Sequence, residues 1–492
     1  MKRFISLLLV VFMLLIATAC GSGEGDTPNT TTSGNSDANT SASEATTTEA
    51  PVPENMRDDL GEYNFNGATY TILSRKNTSY EFKSEEVTGD LVKDAVYQRN
   101  VDIEDRFAVK LDTLEQAGDW GDRDSFIAKI GNSYLSGGHE FDLISTHSAY
   151  IVNIGIKGYA YDLAELPNID LSKRWWAPAY TNNVNIDGAI YSAIGDINYT
   201  LYQFMHCMFF NKEIAESNKI TGLYELVQDG KWTFDKMKEY SLIVGTDLDG
   251  NGVYDKNDLY GIGLNGHACR IFATAFDTKM TIDDGNGHQK VNLPNEKYLD
   301  VYSKLYDFVW NNTQVNFQND ADTQMPMFAD GKLMFFVGRL GNAATIKDMD
   351  AEYGILPLPK YNEEQENYIS GARDYMSAIA VFRNTEDPER TGTVTEALCM
   401  YGYNQVTPAY YETTLKLKYL NDETAMSMLD TIRDTLTFDF AMSYTNSLSL
   451  IFSIMGDSIK NQIPSVAANL KASTKVWQKA IDKLYEDYAK LK

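Results

Sequence analysis

A loop of twelve residues, 247–258, carries the pattern with the clearest chemistry in this sequence of 492 residues. Oxygen-bearing side chains occupy loop positions 1, 3, 5, 9 and 12, a backbone carbonyl is available at position 7, and glycine fills position 6, where the turn needs a positive φ. The six residues that would supply the ligands are Asp247, Asp249, Asn251, Val253, Asp255 and Asp258. Because hard cations prefer oxygen ligands, the pattern predicts a structural Ca²⁺ site.

Two departures from the usual calcium loop bear on the strength and the role of this site. Aspartate stands at position 12 in place of glutamate. Its side chain is shorter, so both carboxylate oxygens can coordinate the ion only if the ion lies closer to the backbone, and the affinity for Ca²⁺ is expected to fall. No helical pattern follows the loop, because residues 259–264 have the pattern of an extended segment. A calcium sensor and an acidic surface turn without metal are therefore the alternatives to a structural site.

A glycine pattern directly after this loop has the spacing of a dinucleotide-binding turn. It runs from Gly261 to Gly266, and Asp283 follows at roughly the distance expected for a ribose contact. The apolar strand that should precede such a turn is limited to Leu259 and Tyr260. We therefore expect an extended segment here and no nucleotide cofactor.

The sequence contains no recognisable catalytic motif. The sequence contains no His-Glu-x-x-His and no Gly-x-Ser-x-Gly pattern, and its five histidines are not paired at metal-binding spacing. A glycosidase needs only two carboxylates that meet in space, which leaves no sequence pattern. We expect no enzyme, and a secreted carbohydrate-active enzyme stays an alternative.

The N-terminus has the layout of a secretory signal that ends at a cysteine. Lys2 and Arg3 precede an apolar run, residues 4–16, which is too short to span a membrane and is followed by small residues up to Cys20. This pattern predicts a lipoprotein signal peptide over residues 1–20, with lipid attached to Cys20; the alternatives are a membrane anchor that is never cleaved and a cysteine that occurs there by chance. Residues 21–56 contain almost no large apolar side chains and are expected to form a disordered Ser/Thr-rich tether.

Net charge indicates which partners are disfavoured, and the number of cysteines indicates the state of the thiols. The formal net charge is −26, from 43 basic and 69 acidic residues, which disfavours nucleic acid and anionic lipid surfaces as partners. Beyond Cys20 the chain has three cysteines, an odd number, and all of them have apolar or aromatic neighbours. We expect Cys207, Cys269 and Cys399 to be buried free thiols, and a disulfide between two of them is the alternative.

Strands alternate with helices along the first part of the body, which favours an α/β fold with a parallel sheet. β-Branched and aromatic runs predict strands over residues 68–74, 107–111 and 141–145. Apolar residues at helical spacing predict helices over residues 91–107 and 125–135.

The second part of the body is expected to begin near Gly188, where the pattern changes. Strands are predicted over residues 189–194, 208–213, 332–337 and 353–359. The C-terminal stretch is helical, with one apolar face that we expect to pack in the core. That face comprises Trp477, Ile481, Leu484, Tyr485 and Tyr488.

Five short segments occur in an order and spacing that resemble a known family. They are residues 140–144 (EFDLI), 208–213 (MFFNKE), 231–236 (KWTFDK), 328–335 (FADGKLMF) and 353–359 (YGILPLP). Together with the cysteine motif at residue 20, they make the chain similar to the bacterial extracellular solute-binding proteins of ABC importers, family 1-like, a group that includes maltose-binding protein. The resemblance implies an α/β, two-lobe periplasmic-binding-protein-like fold with a cleft between the lobes, crossing hinge segments, and closure by hinge motion.

The resemblance also implies where the lobes and the solute site should lie. Lobe 1 is expected to comprise residues 57–180 plus 330–378, and lobe 2 residues 181–329 plus 379–492, with the calcium-type loop inside lobe 2. Aromatic faces and planar hydrogen-bonding groups at strand ends and crossings suit a polar solute. The candidate residues are Tyr150, Trp175, Trp176, Asp196, Tyr199, Arg339, Arg373 and Asp374. For the aromatic residues the alternative is core packing, and for the two arginines it is a salt bridge between lobes.

The function that follows is delivery of a small polar solute, a sugar or oligosaccharide, to an ABC transporter. The expected partners are this solute, the permease subunits and the cell membrane through the lipid anchor, with the protein itself a monomer outside the cytoplasm. A surface adhesin without a transport role is the third alternative.

Overall fold

The computed structural model describes residues 58–318, 323–411 and 423–491. The predicted signal peptide, Cys20 and the tether lie outside the described residues. Within the described part of the chain, no helix has both the length and the apolar character needed to cross a membrane.

Within the described residues, eleven strands form two main sheets and one short hairpin. The strands are β1 (Ala68–Arg75), β2 (Val109–Gln116), β3 (Leu143–His147), β4 (His206–Asn211), β5 (Tyr260–Leu264), β6 (Thr281–Asp283), β7 (Gln289–Val291), β8 (Val315–Phe317), β9 (Leu333–Arg339), β10 (Tyr353–Leu356) and β11 (Ser377–Val381).

The helices lie between these strands and at the C-terminus. They are α1 (Leu91–Phe107), α2 (Arg123–Leu135), α3 (Ser148–Ile156), α4 (Pro178–Val184), α5 (Thr200–Phe204), α6 (Lys212–Ser217), α7 (Leu223–Gln228), α8 (Phe234–Val244), α9 (Gly266–Ala275), α10 (Glu296–Trp310), α11 (Gln324–Ala329), α12 (Pro388–Tyr401), α13 (Glu423–Asp434), α14 (Phe440–Ser443), α15 (Ile454–Lys460) and α16 (Ala467–Ala489).

The first sheet has the order β11-β3-β1-β2. Strands β1, β2 and β3 run parallel, and β11 runs antiparallel to β3, with Ser377 opposite His147. Helix α1 connects β1 to β2 as the sequence predicts. It begins where the Asp90 carboxylate accepts from the Val92 and Lys93 amides, and it ends at Ala108, which has a left-handed backbone conformation.

The second sheet has the order β10-β4-β9-β5-β8. Strand β5 is parallel to β8 and β9, whereas β4 is antiparallel to β9 and β10. Every residue of β4 and β5 is buried, because helices and neighbouring strands cover both faces.

The sheet topology corrects the predicted lobe boundaries. Strands β9 and β10 hydrogen-bond to β4 in the second sheet, so the assignment of residues 330–378 to lobe 1 is wrong for these strands. Strand β11 lies in the first sheet and α12 packs on α1, so the assignment of 379–492 to lobe 2 is wrong there too. Local periodicity identified the strands, but it carries no information about their partners.

The predicted strand over residues 189–194 is also wrong. Only isolated bridges form there, between Ile186 and Ala189 and between Ala193 and Ile379 of β11. Because Ala193 pairs with the first sheet, the second lobe does not begin near Gly188 as predicted.

Two chain segments cross side by side between the sheets. The first contains α5 and leads into β4, and the second, residues 357–376, leads from β10 to β11. Met205 and Ala372 form a bridge, the His206 amide donates to the Gly371 carbonyl at 2.9 Å, and the Arg373 amide donates to the Phe204 carbonyl at 2.9 Å. This paired crossing is where a hinge between the sheets would bend.

Two other sequence predictions are confirmed. Cys207, Cys269 and Cys399 are free and buried. Helix α16 buries Leu470, Trp477, Ile481, Leu484 and Tyr488, while Tyr485 is partly buried against the same core.

Gly261, part of the nucleotide-like pattern, lies inside β5, where the absence of a side chain lets helix α8 pack closely against the strand. A Cβ atom on this residue would stand 1.9 Å from the Ser241 carbonyl oxygen of α8. We expect Gly261→Ala to lower the free energy of unfolding by about 3 kcal/mol, because backbone atoms would have to move apart.

Chemical denaturation would measure this loss, with Gly121→Ala as the control. A Cβ at Gly121 meets no atom within 4 Å. If the two variants proved equally stable, the close approach of α8 to β5 would be contradicted.

Candidate functional site

The strand ends of both sheets point to one region beside the paired crossing. In the first sheet, β1, β2 and β3 end on the same edge, and the antiparallel β11 begins there. In the second sheet, β5 and β9 end on the edge where β4 begins, with His206 opposite Arg339. Ligands of open α/β sheets bind outside the carboxyl ends of the strands. We call this region the strand-end site and define it by Asn77, Asp119, Trp120, His147, Phe204, His206, His267, Arg339, Arg373 and Tyr375.

Tyr375 is the centre of the first-sheet half of the strand-end site. Its hydroxyl donates to Asp119 Oδ1 and accepts from Asn77 Nδ2. Its ring lies edge-on to His147, with centroids 4.6 Å apart, and to Phe204 of the crossing, at 5.2 Å. Burial opposes ionisation of Asp119, but hydrogen bonds from Tyr375 and Asn77 outweigh it and lower the pKa of this carboxyl group.

His147 provides a neutral imidazole at the end of β3. Its Nδ1 lies 2.8 Å from the Asp374 carbonyl and must donate to it, so Nε2 is an acceptor. Nε2 is buried and has no hydrogen-bond partner in the described part of the chain. Burial, followed by the positive charge of Arg75, lowers the pKa of His147 to about 3. The Trp120 ring also contacts this imidazole, with ring centroids 6.2 Å apart.

The second-sheet half of the site is rich in arginine. The Arg339 guanidinium lies over the Phe204 ring at 5.1 Å, and that of Arg373 over Tyr375 at 5.5 Å. Beside them is a cavity of about 80 Å³. Its polar lining residues are His206, Asn265, His267, Arg339, Asn342 and Arg373.

Glu81, whose side chain is completely buried, ties the first crossing segment to the first sheet. One carboxylate oxygen accepts from the Thr200 amide at 2.9 Å. The other accepts from Ser377 Oγ at 2.6 Å and from Asn198 Nδ2 at 3.2 Å. Burial raises the pKa of Glu81, and the hydrogen bonds from Ser377 and Thr200 oppose this shift.

Two buried arginines surround this carboxylate. Arg75 donates through Nε to Thr78 Oγ1 at 3.1 Å and through Nη2 to the Tyr375 carbonyl, and its guanidinium lies 4.4 Å from the Tyr375 ring centroid. Arg99 donates to the Glu81 carbonyl at 2.8 Å and to the Ile197 carbonyl at 3.3 Å. The strand-end site therefore rests on a buried charged layer that also holds the crossing segment.

A family model described as bacterial extracellular solute-binding protein matches residues 127–408, which is more than half of the chain. The chain belongs to this family. The solute-binding protein has the mixed α/β, two-lobe fold of periplasmic binding proteins, as the sequence predicted. No curated protein sequence matches it.

Solved structures of sugar-bound receptors share this fold. The galacto-N-biose-/lacto-N-biose I-binding protein of an ABC transporter from Bifidobacterium longum, in complex with lacto-N-biose, has a TM-score of 0.56 at 15% identity, covering 86% of this chain and 98% of that chain. An ABC substrate-binding protein from Listeria monocytogenes, in complex with cycloalternan, has a TM-score of 0.54 at 10% identity, covering 85% and 99%. At such low identity the likeness shows the fold alone.

The tryptophan pair predicted for the cleft belongs to the core of the first sheet. Trp175 and Trp176 are 0% and 3% exposed, and their indole nitrogens donate to Glu396 at 2.8 and 3.1 Å. Burial raises the pKa of Glu396 to about 7. Both indoles reach the wall of a second cavity of about 400 Å³, which shares no lining residue with the 80 Å³ cavity. Contact with the solute stays a prediction for these residues.

Asp196 lines the same second cavity and connects two chain segments. Its Oδ1 accepts from Tyr202 Oη and from Thr407 Oγ1, both at 2.6 Å, and burial raises its pKa to about 6. Thr407 follows the π-helical segment Gly402–Val406, which succeeds α12. Asp196 thus joins the first crossing segment to the chain that leaves the first sheet after α12.

The remaining candidates lie close to the strand-end site but differ in their contacts. Tyr150 is fully buried beneath it, donating to the Gly118 carbonyl at 2.6 Å. Tyr199 is buried between Tyr80 and Tyr410, with ring centroids 5.7 and 5.6 Å away. Asp374 contributes its backbone carbonyl, which accepts from His147. Among the predicted residues, only Arg339 and Arg373 present side chains to the 80 Å³ cavity.

Sequence reasoning missed several residues of the strand-end site. Asn77, Asp119 and Trp120 follow the ends of β1 and β2, and Phe204 precedes β4. The rule that ligands bind at carboxyl ends of strands could have selected the first three, because both strands were predicted. Phe204 had no such signal, since its position depends on the crossing.

The predicted calcium loop connects α8 to β5, at the end of β5 opposite the strand-end site. Carboxylate oxygens of Asp247, Asp249 and Asp258 lie within 4.8 Å of one another, the one such acidic group among the described residues. Asp247 accepts from the Gly252 amide at 2.7 Å, and this bond is the main cause that lowers its pKa. Three converging carboxylates fit the donor set that Ca²⁺ requires.

Proposed function

We propose that this solute-binding protein is a lipoprotein, anchored to the outer side of the cell membrane through Cys20. In this proposal it captures a small polar solute, a sugar or oligosaccharide, and delivers it to the permease subunits of an ABC transporter. The protein acts as a monomeric receptor, not as an enzyme.

The observation that carries this proposal is the chemistry of the strand-end site. Rings of Trp120, Phe204 and Tyr375 lie there together with Asn77 and Asp119, and aromatic rings beside planar polar groups suit the apolar faces and hydroxyls of a sugar. The paired crossing lies beside these residues, so closure of the lobes would enclose the solute. The related receptors from Bifidobacterium and Listeria, which were solved with saccharides bound, support the same class of solute.

The proposal is tested by measuring whether the protein binds a saccharide and becomes more compact when it does. Calorimetric titration of the purified protein with a panel of oligosaccharides should find a ligand, and small-angle scattering should show a smaller radius of gyration when it is bound. The oligosaccharide should be recovered intact. Turnover of any glycan, or binding without compaction, would contradict a receptor of this type.

We also propose that the loop at residues 247–258 holds a structural Ca²⁺ ion. Asp247, Asp249 and Asp258 would hold the ion, with Asn251, Asp255 and the Val253 carbonyl as further donors. Asp258 is 1% exposed, so the ion would connect the exposed turn to a buried carboxylate at the start of β5. An ion there would stabilise one lobe without reaching the solute.

Calcium is expected to raise the thermal midpoint and to leave solute affinity unchanged. At a hundred times its dissociation constant, a ligand that binds only the folded state stabilises it by about 2.7 kcal/mol. Differential scanning fluorimetry with Ca²⁺ and with chelator measures the shift. The double variant Asp247→Ala and Asp249→Ala should lose the response.

Asp283→Ala with Asp284→Ala is the matched control, because these two acidic residues lie where β6 ends and the β6–β7 turn begins, away from residues 247–258 in sequence. This variant should keep the full calcium response. An equal midpoint with Ca²⁺ and with chelator in the unmodified protein would leave residues 247–258 as an acidic turn without metal.

A further inference from the structure

The wall of the 80 Å³ cavity is formed by cationic and hydrogen-bond-donating groups. Arg339, Arg373, His206 and His267 line it, and no aspartate or glutamate occurs among its lining residues, all of which are described. Arg373 forms no ion pair within the described residues. In a chain with 69 acidic and 43 basic residues, a cavity with this lining indicates a ligand of opposite charge.

The imidazole of His267 adds a donor to this wall. Arg270 donates through Nε to His267 Nδ1 at 2.9 Å, so Nδ1 is an acceptor and Nε2 carries the hydrogen. Nε2 is buried and has no partner in the described part of the chain. A buried donor without a partner is costly, and an oxygen atom of a ligand would satisfy it.

Both histidines of the wall are neutral, first because they are buried and then because arginines lie close to them. Burial and the positive charge of Arg339 lower the pKa of His206 to about 3, and burial and Arg270 lower that of His267 as well. Asp374 and Asp457, whose charges act on Arg270, do not line the cavity. Helix α9 begins at the cavity, and its N-terminal dipole adds to the positive potential.

We propose that the solute carries an oxyanion, such as the carboxylate of an acidic sugar, which binds in this cavity against Arg339, Arg373 and His267. The planar guanidinium groups of the two arginines match the planar geometry of a carboxylate, and His267 Nε2 donates a hydrogen bond to the same carboxylate. The rest of the saccharide would lie across Phe204 and Tyr375 toward Asp119. This inference rests on the proposed function, since it specifies the solute class at the same site.

Calorimetric titration of the full chain with uronic-acid di- and trisaccharides, each paired with its methyl ester, tests the inference. The ester removes the charge and adds one methyl group, and the dependence of affinity on salt distinguishes the loss of charge from the added size. We expect the acid to bind about ten- to a hundredfold more tightly than its ester, and its affinity to fall as the salt concentration rises. Phosphorylated and sulfated sugars form a second arm, and preference for them would support the oxyanion and assign it to phosphate or sulfate.

Substitutions of single arginines show where the charged group of the solute binds. Arg339→Gln and Arg373→Gln should each lose about ten- to a hundredfold in affinity for the acidic sugar. Arg383→Gln, which changes an exposed arginine over Tyr161 just after β11 of the first sheet, should bind normally.

The outcomes separate this inference from the proposed function. Equal affinity for acid and ester, without loss in either site variant, would overturn the oxyanion while leaving a saccharide receptor. Absence of binding to every saccharide, charged or neutral, would overturn both. The comparison of acid with ester needs no variant, so it decides the question even if Arg339→Gln fails to fold.

Discussion

Replacing Glu81 by alanine should lower the free energy of unfolding by about 3–5 kcal/mol, the range for removing one partner of a buried charged group. The side chain is completely buried and accepts hydrogen bonds from Thr200, Ser377 and Asn198. Without it, these donors lose their acceptor and the buried Arg75 and Arg99 lose the nearby negative charge. Chemical denaturation measures the effect.

Two further variants show whether the loss comes from this network. Glu81→Gln keeps the volume and one acceptor oxygen, so it should lose less stability than alanine does. Glu85→Ala removes a carboxylate whose side chain is 82% exposed, and we expect a change within about 0.5 kcal/mol. A Glu81→Ala protein as stable as Glu85→Ala would show that the crossing segment is held by other contacts.

Replacing Tyr375 by alanine should weaken solute binding by about ten- to a hundredfold without unfolding the protein. The ring contacts His147 and Phe204, and its hydroxyl connects Asp119 with Asn77. An aromatic contact contributes about 0.5–1.5 kcal/mol and a hydrogen bond to a charged group about 1.5–3 kcal/mol. Calorimetric titration with the saccharide found in the panel measures the loss.

Tyr375→Phe separates the two contributions, because it keeps the ring and removes the hydroxyl. It should show an intermediate loss of affinity. Tyr306→Ala on α10 is the control, since this tyrosine is also partly buried but lies on a helix that packs on β8 of the second sheet, outside the strand-end site. Unchanged affinity in a folded Tyr375→Ala protein would remove Tyr375 from the solute site.

Local patterns in the sequence were sufficient for elements whose signal is contained in one segment. Helix α1 spans the predicted residues 91–107, because its apolar spacing and Asp90 cap are local. Strands β4 and β9 also formed where apolar runs predicted them. The pairing of β9 with β4 joins residues far apart in sequence, and no local pattern specifies it.

The candidate site shows the same division. Arg339 was selected because it ends a predicted strand, and it lies at the strand-end site. Trp175 and Trp176 were selected as aromatic residues between lobes, but burial of an indole serves a core as well as a cleft. Their partner Glu396 lies more than two hundred residues further along the chain, so the sequence gives no local sign of the contact.

Uptake of the identified saccharide by living cells tests the central claim most directly. In a strain that lacks this protein, uptake of the labelled saccharide at low concentration should fall to background. Expression of the unmodified chain should restore it, whereas the Tyr375→Ala chain, at equal abundance, should not. Unchanged uptake in the strain without the protein would contradict delivery to a transporter.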